Sequence, residues 1–286
     1  MRLLSYEIDG QPSWGAVKGD RVVDLGAWFR DRYPTLRDAI AADALATLRD
    51  ASAKAPAGPA LSDIRYLVPV PNAEKFICVG VNYANRNAEY KDGTDPQKYP
   101  SLFLRTPGSL VGHNEPIVRP PESLQLDYEG EIALVVGKGG RRIAKEQAHA
   151  HIFAISCLQE GTIRDWTRHG KFNVTQGKNF DRSGSFGPWL VTADEIADFR
   201  ALDIATFVNG ERRQHDTTAN LMFGFDDLIA YISTFTTLKS GDVISTGTPT
   251  GAGVRFEPPV WLKPGDRIDV TCSAVGTLSN RVIAED

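Results

Sequence analysis

The 286-residue chain lacks several features that would assign it to a class of proteins at once. No apolar run approaches the roughly 20 residues needed to cross a bilayer, and Glu7 introduces an acidic side chain too early for a signal peptide. The sequence has no dense run of Lys or Arg, and its net charge of −4 argues against a nucleic-acid surface. We therefore expect a cytoplasmic protein that binds neither membranes nor nucleic acids.

Cysteine is also scarce. The chain contains only Cys78, Cys157 and Cys272, an odd number of widely spaced residues in apolar surroundings. They are typical of buried thiols in a reducing compartment rather than of a disulfide framework or a zinc site. A phosphate-binding loop is missing too, because the glycines around Lys138 do not have the spacing of a dinucleotide fingerprint.

What remains is the composition of an ordinary globular protein, with 42% hydrophobic and 24% charged residues. The first 68 residues carry three short strand patterns and an alanine-rich helical stretch at 35–54. A linker rich in Ala, Pro and Gly at 55–59 and a Val-Pro-Val-Pro run at 68–71 then mark a boundary. These patterns predict a small N-terminal domain at 1–68 and a larger domain at 72–286.

Short strands dominate the larger domain. Its helical patterns are few, at 145–150, 161–168 and 225–235. This proportion predicts a β-rich α+β fold. The predicted strands lie at 76–79, 102–104, 117–119, 129–136, 152–158, 189–192, 204–208, 243–246 and 267–272.

An acidic pair opens the most apolar of these strands. Glu129 and Glu131 precede the apolar run at 132–136, and because side chains alternate along a strand, both point to the same face. Two like charges at the head of a buried run repel each other, so they favour a cation held between them. A divalent metal bound by carboxylate oxygens is the simplest such cation. An exposed strand end with two solvated glutamates has the same pattern.

A third carboxylate, Glu160, follows the strand predicted at 152–158. Two interpretations are open. Glu160 caps the helix predicted at 161–168, since acidic groups are favourable at helix N-termini, or it supplies a third oxygen ligand from a neighbouring strand. Three carboxylates, with the other positions left to water and substrate, are typical of Mg²⁺ or Mn²⁺ rather than zinc.

Seven short motifs in a fixed order give residues 72–285 a resemblance to the fumarylacetoacetate hydrolase family. The resemblance implies a mixed β-sheet roll as the catalytic domain, a variable N-terminal domain, and a homodimer formed through the large domain. The motifs are Val79-Gly80-Val81-Asn82-Tyr83, Asp127-Tyr128-Glu129-Gly130-Glu131, Gly161-Thr162-Ile163-Arg164-Asp165, Gly177-Lys178-Asn179-Phe180-Asp181, Gly187-Pro188-Trp189, Ser245-Thr246-Gly247-Thr248-Pro249 and Leu262-Lys263-Pro264-Gly265-Asp266.

The family resemblance also implies a metal site. It makes Glu129, Glu131 and Glu160 the ligands of a divalent ion, Mg²⁺ or Mn²⁺. Much of the family has aspartate at the third position, so the longer Glu160 is a mild departure. The family acts on 2,4-diketo acids and related enolisable oxo acids, which the metal chelates.

Substrate contacts follow from the same resemblance. Cleaving a bond beside a carbonyl leaves an enolate, which a metal and a cationic side chain stabilise. Lys178 matches the family's lysine near the metal and is expected to be that cation, with catalytic and substrate-binding roles. Thr248 matches a position near the substrate carboxylate, and Tyr83 is expected to contact the substrate.

Position 86 is the main departure from the family pattern. Hydrolases of the family commonly have a histidine there, paired with a glutamate that matches Glu89, and this pair activates water. Arg86 remains protonated at neutral pH and cannot act as a general base. Three outcomes are open: Glu89 acts on water directly, Arg86 clamps a substrate carboxylate while metal-bound water attacks, or the reaction needs no water.

Several further expectations concern the surroundings of the site. Residues 89–99 resemble the family's mobile lid. Arg164 is one helical turn beyond Glu160 and is expected to pair with it. His113 is a candidate substitute for the missing base. Aromatic residues shape a substrate pocket or, more commonly, belong to the core. They are Trp166, Phe172, Phe180, Phe186 and Trp189.

The leading hypothesis from the sequence is a metal-dependent hydrolase that cleaves a carbon–carbon bond in an acylpyruvate-like 2,4-diketo acid, in aromatic or sugar-acid catabolism. The arginine at position 86 favours the alternative, a decarboxylase or a tautomerase or isomerase of oxo acids such as oxaloacetate. A non-catalytic metal-binding scaffold is the third hypothesis.

Overall fold

The computed structural model describes residues 1–89, 97–171 and 173–285. Its strands are β1 (Arg2–Ile8), β2 (Gln11–Lys18), β3 (Arg21–Asp24), β4 (Arg65–Tyr66), β5 (Phe76–Gly80), β6 (Ser101–Arg105), β7 (Leu110–Val111), β8 (Ile117–Arg119), β9 (Leu126–Asp127), β10 (Gly130–Val136), β11 (Ile152–Gln159), β12 (Thr162–Ile163), β13 (Gly184–Thr192), β14 (Asp203–Val208), β15 (Glu211–Thr217), β16 (Val243–Ser245), β17 (Arg267–Cys272) and β18 (Gly276–Ala284). The α-helices are α1 (Leu25–Phe29), α2 (Leu36–Ala41), α3 (Leu45–Lys54), α4 (Ala84–Ala88), α5 (Lys145–Ala148), α6 (Thr175–Lys178) and α7 (Phe225–Phe235).

One large mixed sheet carries most of the strands. Its order is β3-β2-β1-β13-β11-β10-β16-β5-β6, with β4 beside β1 and β7 beside β13. The central strand β10 is buried along its whole length, which explains its apolar run at 132–136: a strand covered on both faces needs no polar side. β10 is antiparallel to β11 and β16, so residues near the start of β10 meet the end of β11.

The N-terminal segment is part of this sheet. β1 pairs with β13 in antiparallel register, Arg2 opposite Val191 and Leu3 opposite Leu190. Leu3 and Trp14 share a hydrophobic cluster with Phe186 of the larger segment. The division at residues 68–72 stays a prediction, whereas the sheet and the cluster are continuous across it.

A second sheet, with the order β15-β14-β17-β18-β8, packs against the start of β10. The contact is close at Gly130, where an added Cβ would lie 2.0 Å from Thr206 Oγ1 of β14. Only glycine fits between Glu129 and Glu131, because any side chain would push the second sheet away. The two sheets and α7 enclose the main hydrophobic core.

The predicted β-rich α+β class is confirmed, but the helix predicted at 161–168 is wrong. Thr162 and Ile163 instead form β12, which pairs with Asp127 and Leu126 of β9, and a short 3₁₀ turn follows at Asp165–Arg168. Both residues are β-branched and lose side-chain freedom in a helix, and both are buried. β15 and β18 are strands that the sequence patterns missed. No helix among the described residues is long and apolar enough to span a membrane.

Candidate active site

A cavity of about 1180 Å³ lies where β10, β11 and α6 meet. It is strongly charged and contains most of the predicted site residues. Of the described residues that line it, five are cationic, four are acidic and none is histidine. The charged lining residues are Arg86, Arg164, Arg168, Lys178, Arg255, Glu129, Glu131, Glu160 and Asp165.

Glu131 lies within β10 and is 1% exposed. Its Oε2 accepts hydrogen bonds from Ser245 Oγ at 2.5 Å and from the Gly247 amide at 2.8 Å. Gly247 has a φ of +101°, a conformation that glycine adopts at little cost. Burial raises the pKa of Glu131 well above its ordinary range, and the nearby Glu160 carboxylate raises it further.

Glu129 lies one residue before β10 and is surrounded by cations. Arg86 Nη2 is 3.2 Å from its Oε1, Arg164 Nη2 is 2.8 Å from the same oxygen, and Lys178 Nζ is 2.5 Å from Oε2. Thr162 also donates to Oε2, at 2.8 Å. Burial alone would raise the pKa of Glu129, but the three cations outweigh it and hold the pKa well below the ordinary range.

Glu160 follows β11 directly, and its amide donates to the Glu129 carbonyl at 2.8 Å. It is a strand-end residue rather than a helix cap, because no helix begins after it. Its Oε2 accepts from Lys178 Nζ at 2.9 Å, while its Oε1 is buried without a hydrogen-bond partner among the described residues. Among the described residues, Glu160 therefore has one oxygen with no hydrogen-bond donor in contact.

Lys178, the last residue of α6, places its ammonium between Glu129 and Glu160. The same ammonium lies 4.9 Å from the centre of the Phe103 ring. Burial would lower the pKa of Lys178, but the two carboxylates outweigh burial and raise it. Lys178 is therefore a cation at neutral pH, and its expected role toward a substrate stays a prediction.

Arg164 pairs with Asp127 and Glu129, not with Glu160 as predicted. Its Nε is 2.7 Å from Asp127 Oδ2, because β12 lies beside β9 and no helical turn connects residues 160 and 164. Asp127 is fully buried and also accepts from the amides of Tyr128, Gly253 and Val254, at 2.8, 2.7 and 3.1 Å. No role was predicted for Asp127, although its position beside the acidic pair was a signal.

Arg86 and Glu89 form an ion pair at the edge of the cavity. Arg86 Nη1 donates to Glu89 Oε2, and Glu89 Oε1 accepts from the Gly251 amide at 2.9 Å. Arg86 is 2% exposed and lines the cavity, whereas Glu89 does not line it. The pair therefore ties α4 to Glu129 on one side and to the loop at residue 251 on the other.

Thr248 and Tyr83, both expected at the substrate, lie in different environments. Thr248 lines the cavity, and its hydroxyl donates to the Gly130 carbonyl at 2.9 Å. Tyr83 is fully buried in the main core and does not line the cavity. The expected substrate contact of Tyr83 is not supported by this position, since its side chain is part of the main hydrophobic core.

The three glutamates meet at one end of the cavity but are not arranged as a ligand set. Within the described ranges, no three Asp, Glu, His or Cys side chains form a group that could hold a metal ion. Lys178 and two arginines occupy the oxygens of Glu129, and Lys178 occupies one oxygen of Glu160. The donor chemistry nevertheless fits a hard divalent cation, since it is all oxygen and includes the unpartnered Glu160 Oε1.

Comparison with known proteins identifies the family. The family model described as fumarylacetoacetate (FAA) hydrolase C-terminal matches residues 75–283. The chain belongs to this family. The predicted membership is therefore confirmed.

Relatives within the fumarylacetoacetate hydrolase family have different named activities. The oxaloacetate tautomerase YisK of Bacillus subtilis is 40% identical over 226 residues, which is 78% of this chain and 74% of that protein. The mitochondrial oxaloacetate tautomerase FAHD2B of Bos taurus is 37% identical over 99% of this chain and 92% of its own length. The maleylpyruvate hydrolase of Sphingobium sp. SYK-6, solved in complex with manganese(II) and pyruvate, is 28% identical with a TM-score of 0.82, and all of both chains is covered.

The remaining expectations for this family member have mixed outcomes. Most of the predicted lid, at 90–96, and Phe172 lie outside the described residues. The other four predicted pocket aromatics do not line the cavity. Phe186 is fully buried in the core, and Trp166 and Phe180 pack against each other at 5.0 Å. Residues that line the cavity without having been predicted include Phe103, Trp261, Arg168 and Arg255.

His113, the candidate substitute base, does not line the cavity. Its ring meets Tyr66 edge-on at 4.7 Å, and its Nδ1 accepts from the Ser279 amide at 3.0 Å. Burial lowers the pKa of His113 to about 4 from an ordinary value of 6.5. Its role is therefore to accept a backbone hydrogen bond as a neutral ring.

This histidine should make stability depend on pH. Its folded pKa lies below its unfolded value, so the unfolded chain binds more protons between pH 6.5 and 4. The contribution of the neutral His113 ring to the free energy of unfolding is fully present above pH 6.5 and falls by up to about 2 kcal/mol toward pH 4. This value is lower than the full pKa shift would give, because the ring is only half-buried. Urea unfolding of His113→Asn should show a smaller loss over this range than the wild type. The exposed His149→Asn is the control, and equal pH slopes for all three proteins would contradict the assignment.

Proposed function

We propose that this protein is a metal-dependent tautomerase that interconverts the enol and keto forms of a short 2-oxo dicarboxylic acid, with oxaloacetate as the first candidate. The two tautomerase relatives support this choice. The charge of the cavity supports it as well, because Arg164, Arg168 and Arg255 can face the two carboxylates of such a substrate. The substrate is a small molecule, and the predicted homodimer remains part of the proposal.

The position of Arg86 is the observation that favours tautomerisation over hydrolysis. Hydrolysis needs a base that removes a proton from water, and an arginine side chain cannot act as that base at neutral pH. It is also held by Glu89 and Glu129, so Glu89 is itself engaged with a cation and with the Gly251 amide. Tautomerisation consumes no water and requires only that a proton move between carbon and oxygen, which suits a cavity lining without a described histidine.

Lys178 is the residue suited to move that proton. Its ammonium can donate a proton to the enol carbon, and the neutral amine that results can then take the proton of the former enol hydroxyl, so that no net proton is gained or lost. The neighbouring Glu129 and Glu160 carboxylates favour the charged form of Lys178 before and after the two transfers. Both carboxylates also orient the ammonium, since each accepts one of its hydrogen bonds.

Glu129, Glu131 and Glu160 would hold the divalent metal, with Mg²⁺ or Mn²⁺ as candidates. When bound, such an ion polarises the 2-oxo group and stabilises negative charge on its oxygen. The protein contributes the placement: Ser245 and Gly247 orient Glu131, and the strand end after β11 orients Glu160. To ligate an ion, Glu129 and Glu160 must share their oxygens with Lys178 or release it.

Carbon–carbon bond hydrolysis is the second candidate, favoured by one observation. Glu89 is a carboxylate at the edge of the site, 19% exposed, and the structurally similar maleylpyruvate hydrolase was solved with pyruvate. If Arg86 moved away, Glu89 would be able to accept a proton from water. Decarboxylation of the same oxo acids is a third reaction on this site.

Product analysis separates the three reactions. The purified protein, loaded with Mg²⁺ or Mn²⁺, is mixed with freshly dissolved enol oxaloacetate and with acylpyruvates of several chain lengths. We expect the ultraviolet absorbance of the enol to decay faster than in buffer, without formation of pyruvate. EDTA should abolish the acceleration, and re-added metal should restore it. Pyruvate with CO₂ would identify a decarboxylase instead, and pyruvate with an acid would identify a hydrolase.

A further inference from the structure

Gln214 connects the second sheet to the catalytic cavity. It lies on the edge strand β15, whose other residues are exposed or half-buried, yet Gln214 is 1% exposed. The strand is otherwise polar, so burial of this one amide needs specific partners.

Those partners are all at the active site. Gln214 Oε1 accepts from the Gly130 amide at 3.0 Å, between the two glutamates of β10. Its Nε2 donates to Thr248 Oγ1 and to the Pro249 carbonyl, both at 2.9 Å. One carboxamide thus joins the acidic strand to the turn that carries Thr248.

The partners also fix which way the carboxamide points. The Gly130 amide can only donate and the Pro249 carbonyl can only accept, so a flipped Gln214 would lose both bonds. Its nitrogen must therefore face Thr248, and Thr248 Oγ1 must accept from it. The hydroxyl hydrogen of Thr248 goes to the Gly130 carbonyl at 2.9 Å. One lone pair of Thr248 Oγ1 then remains to accept a further hydrogen bond, and Thr248 lines the cavity.

We propose that Gln214 is a positioning residue that turns Thr248 into a hydrogen-bond acceptor for the enol hydroxyl of the substrate. This inference rests on the proposed tautomerase function. A keto oxygen and a carboxylate can only accept, whereas an enol hydroxyl donates. With its hydroxyl acting as an acceptor, Thr248 can bind the enol hydroxyl but not the keto oxygen. Gln214 keeps Thr248 in this orientation without touching the substrate.

A double-mutant cycle tests whether Gln214 acts through Thr248. The variants are Gln214→Met, Thr248→Val and the double variant, and the readout is kcat/KM for enol consumption. Each single change should lower kcat/KM about tenfold, and the double variant should also be about tenfold lower rather than a hundredfold. The exposed neighbour His215→Asn is the matched control and should match the wild type.

A second variant keeps the test decisive if Gln214→Met fails to fold. Gln214→Glu has nearly the same shape and still accepts from the Gly130 amide, but at neutral pH it cannot donate to Thr248. It should show the same loss and the same absence of additivity with Thr248→Val. The proposal would be overturned if the losses of the two single variants multiplied in the double variant. Wild-type kcat/KM in both Gln214 variants would overturn it as well.

Oxalate binding in the presence of Mg²⁺, measured by calorimetry, separates this proposal from the proposed function. Oxalate has only acceptor oxygens, so releasing the Thr248 hydroxyl should leave its affinity unchanged or improve it. A tenfold weaker oxalate affinity in both Gln214 variants would overturn the positioning role. If the wild type fails to consume the enol, the proposed function fails, and the oxalate measurement still decides the role of Gln214.

Discussion

Replacing Lys178 with Met should lower kcat by about 10³-fold, within the range reported for loss of a general acid or an electrostatic stabiliser. The ammonium is the only described group that contacts both Glu129 and Glu160 and also lines the cavity. Removing it also removes a cation that competes for the metal's oxygens. We therefore expect the affinity for Mn²⁺, measured by calorimetry, to stay equal or rise while kcat falls.

The control for this experiment is Lys178→Arg. It retains the positive charge, but its guanidinium does not release a proton at neutral pH, so activity should remain low. Lys54→Met, an exposed lysine at the end of α3, should behave as wild type. Near-normal activity of Lys178→Arg would show that charge alone suffices and that another group moves the proton. Full activity of Lys178→Met would remove Lys178 from the mechanism.

Replacing Asp127 with Ala should destabilise the fold by about 3–5 kcal/mol, the range for breaking a buried ion pair from one side. Asp127 is fully buried, pairs with Arg164 and satisfies three backbone amides. Its loss leaves the Arg164 charge with less compensation. Urea unfolding measures the change, and Asp127→Asn should be intermediate, because it keeps an acceptor oxygen but loses the charge.

Two comparisons keep this stability prediction specific. Asp31→Ala, at an exposed position, should change the free energy of unfolding by no more than about 0.5 kcal/mol. The double variant Asp127→Ala with Arg164→Met should be no less stable than Asp127→Ala alone, since the second change removes a buried charge that Asp127 no longer compensates. A loss below about 1 kcal/mol for Asp127→Ala, under the range for a broken buried pair, would mean that water reaches the site and replaces the carboxylate.

The sequence was informative where one residue's chemistry is unusual for its surroundings. Two glutamates at the head of an apolar strand, a third after another strand and a lysine in a glycine-containing motif are visible locally. The structure brings these four residues together, although as a carboxylate–ammonium cluster rather than a formed metal site. Strand patterns with clear apolar runs, such as β10 and β11, were also predicted close to their observed bounds.

Features that depend on distant partners were not predictable. Gln214 and Gly130 are 84 positions apart, and nothing in the polar strand β15 indicates that one of its residues is buried. The helix predicted at 161–168 was wrong because Thr162 and Ile163 pair with β9. The helical pattern of 161–168 is local and does not show this pairing. Tyr83 stands beside Asn82 in one motif, yet it turns into the core while Asn82 binds the Thr246 carbonyl at 2.8 Å.

The pairing of β1 with β13 limits how the N-terminal segment can vary. A chain beginning after residue 71 would retain the cavity's charged side chains but would leave the backbone groups of β13 near Leu190 unpaired and its apolar flank open to water. Such uncovered strands associate with other chains. Any segment that replaces the first 71 residues of this chain must therefore supply its own cover for this strand, so the replacement is free in sequence but constrained in geometry.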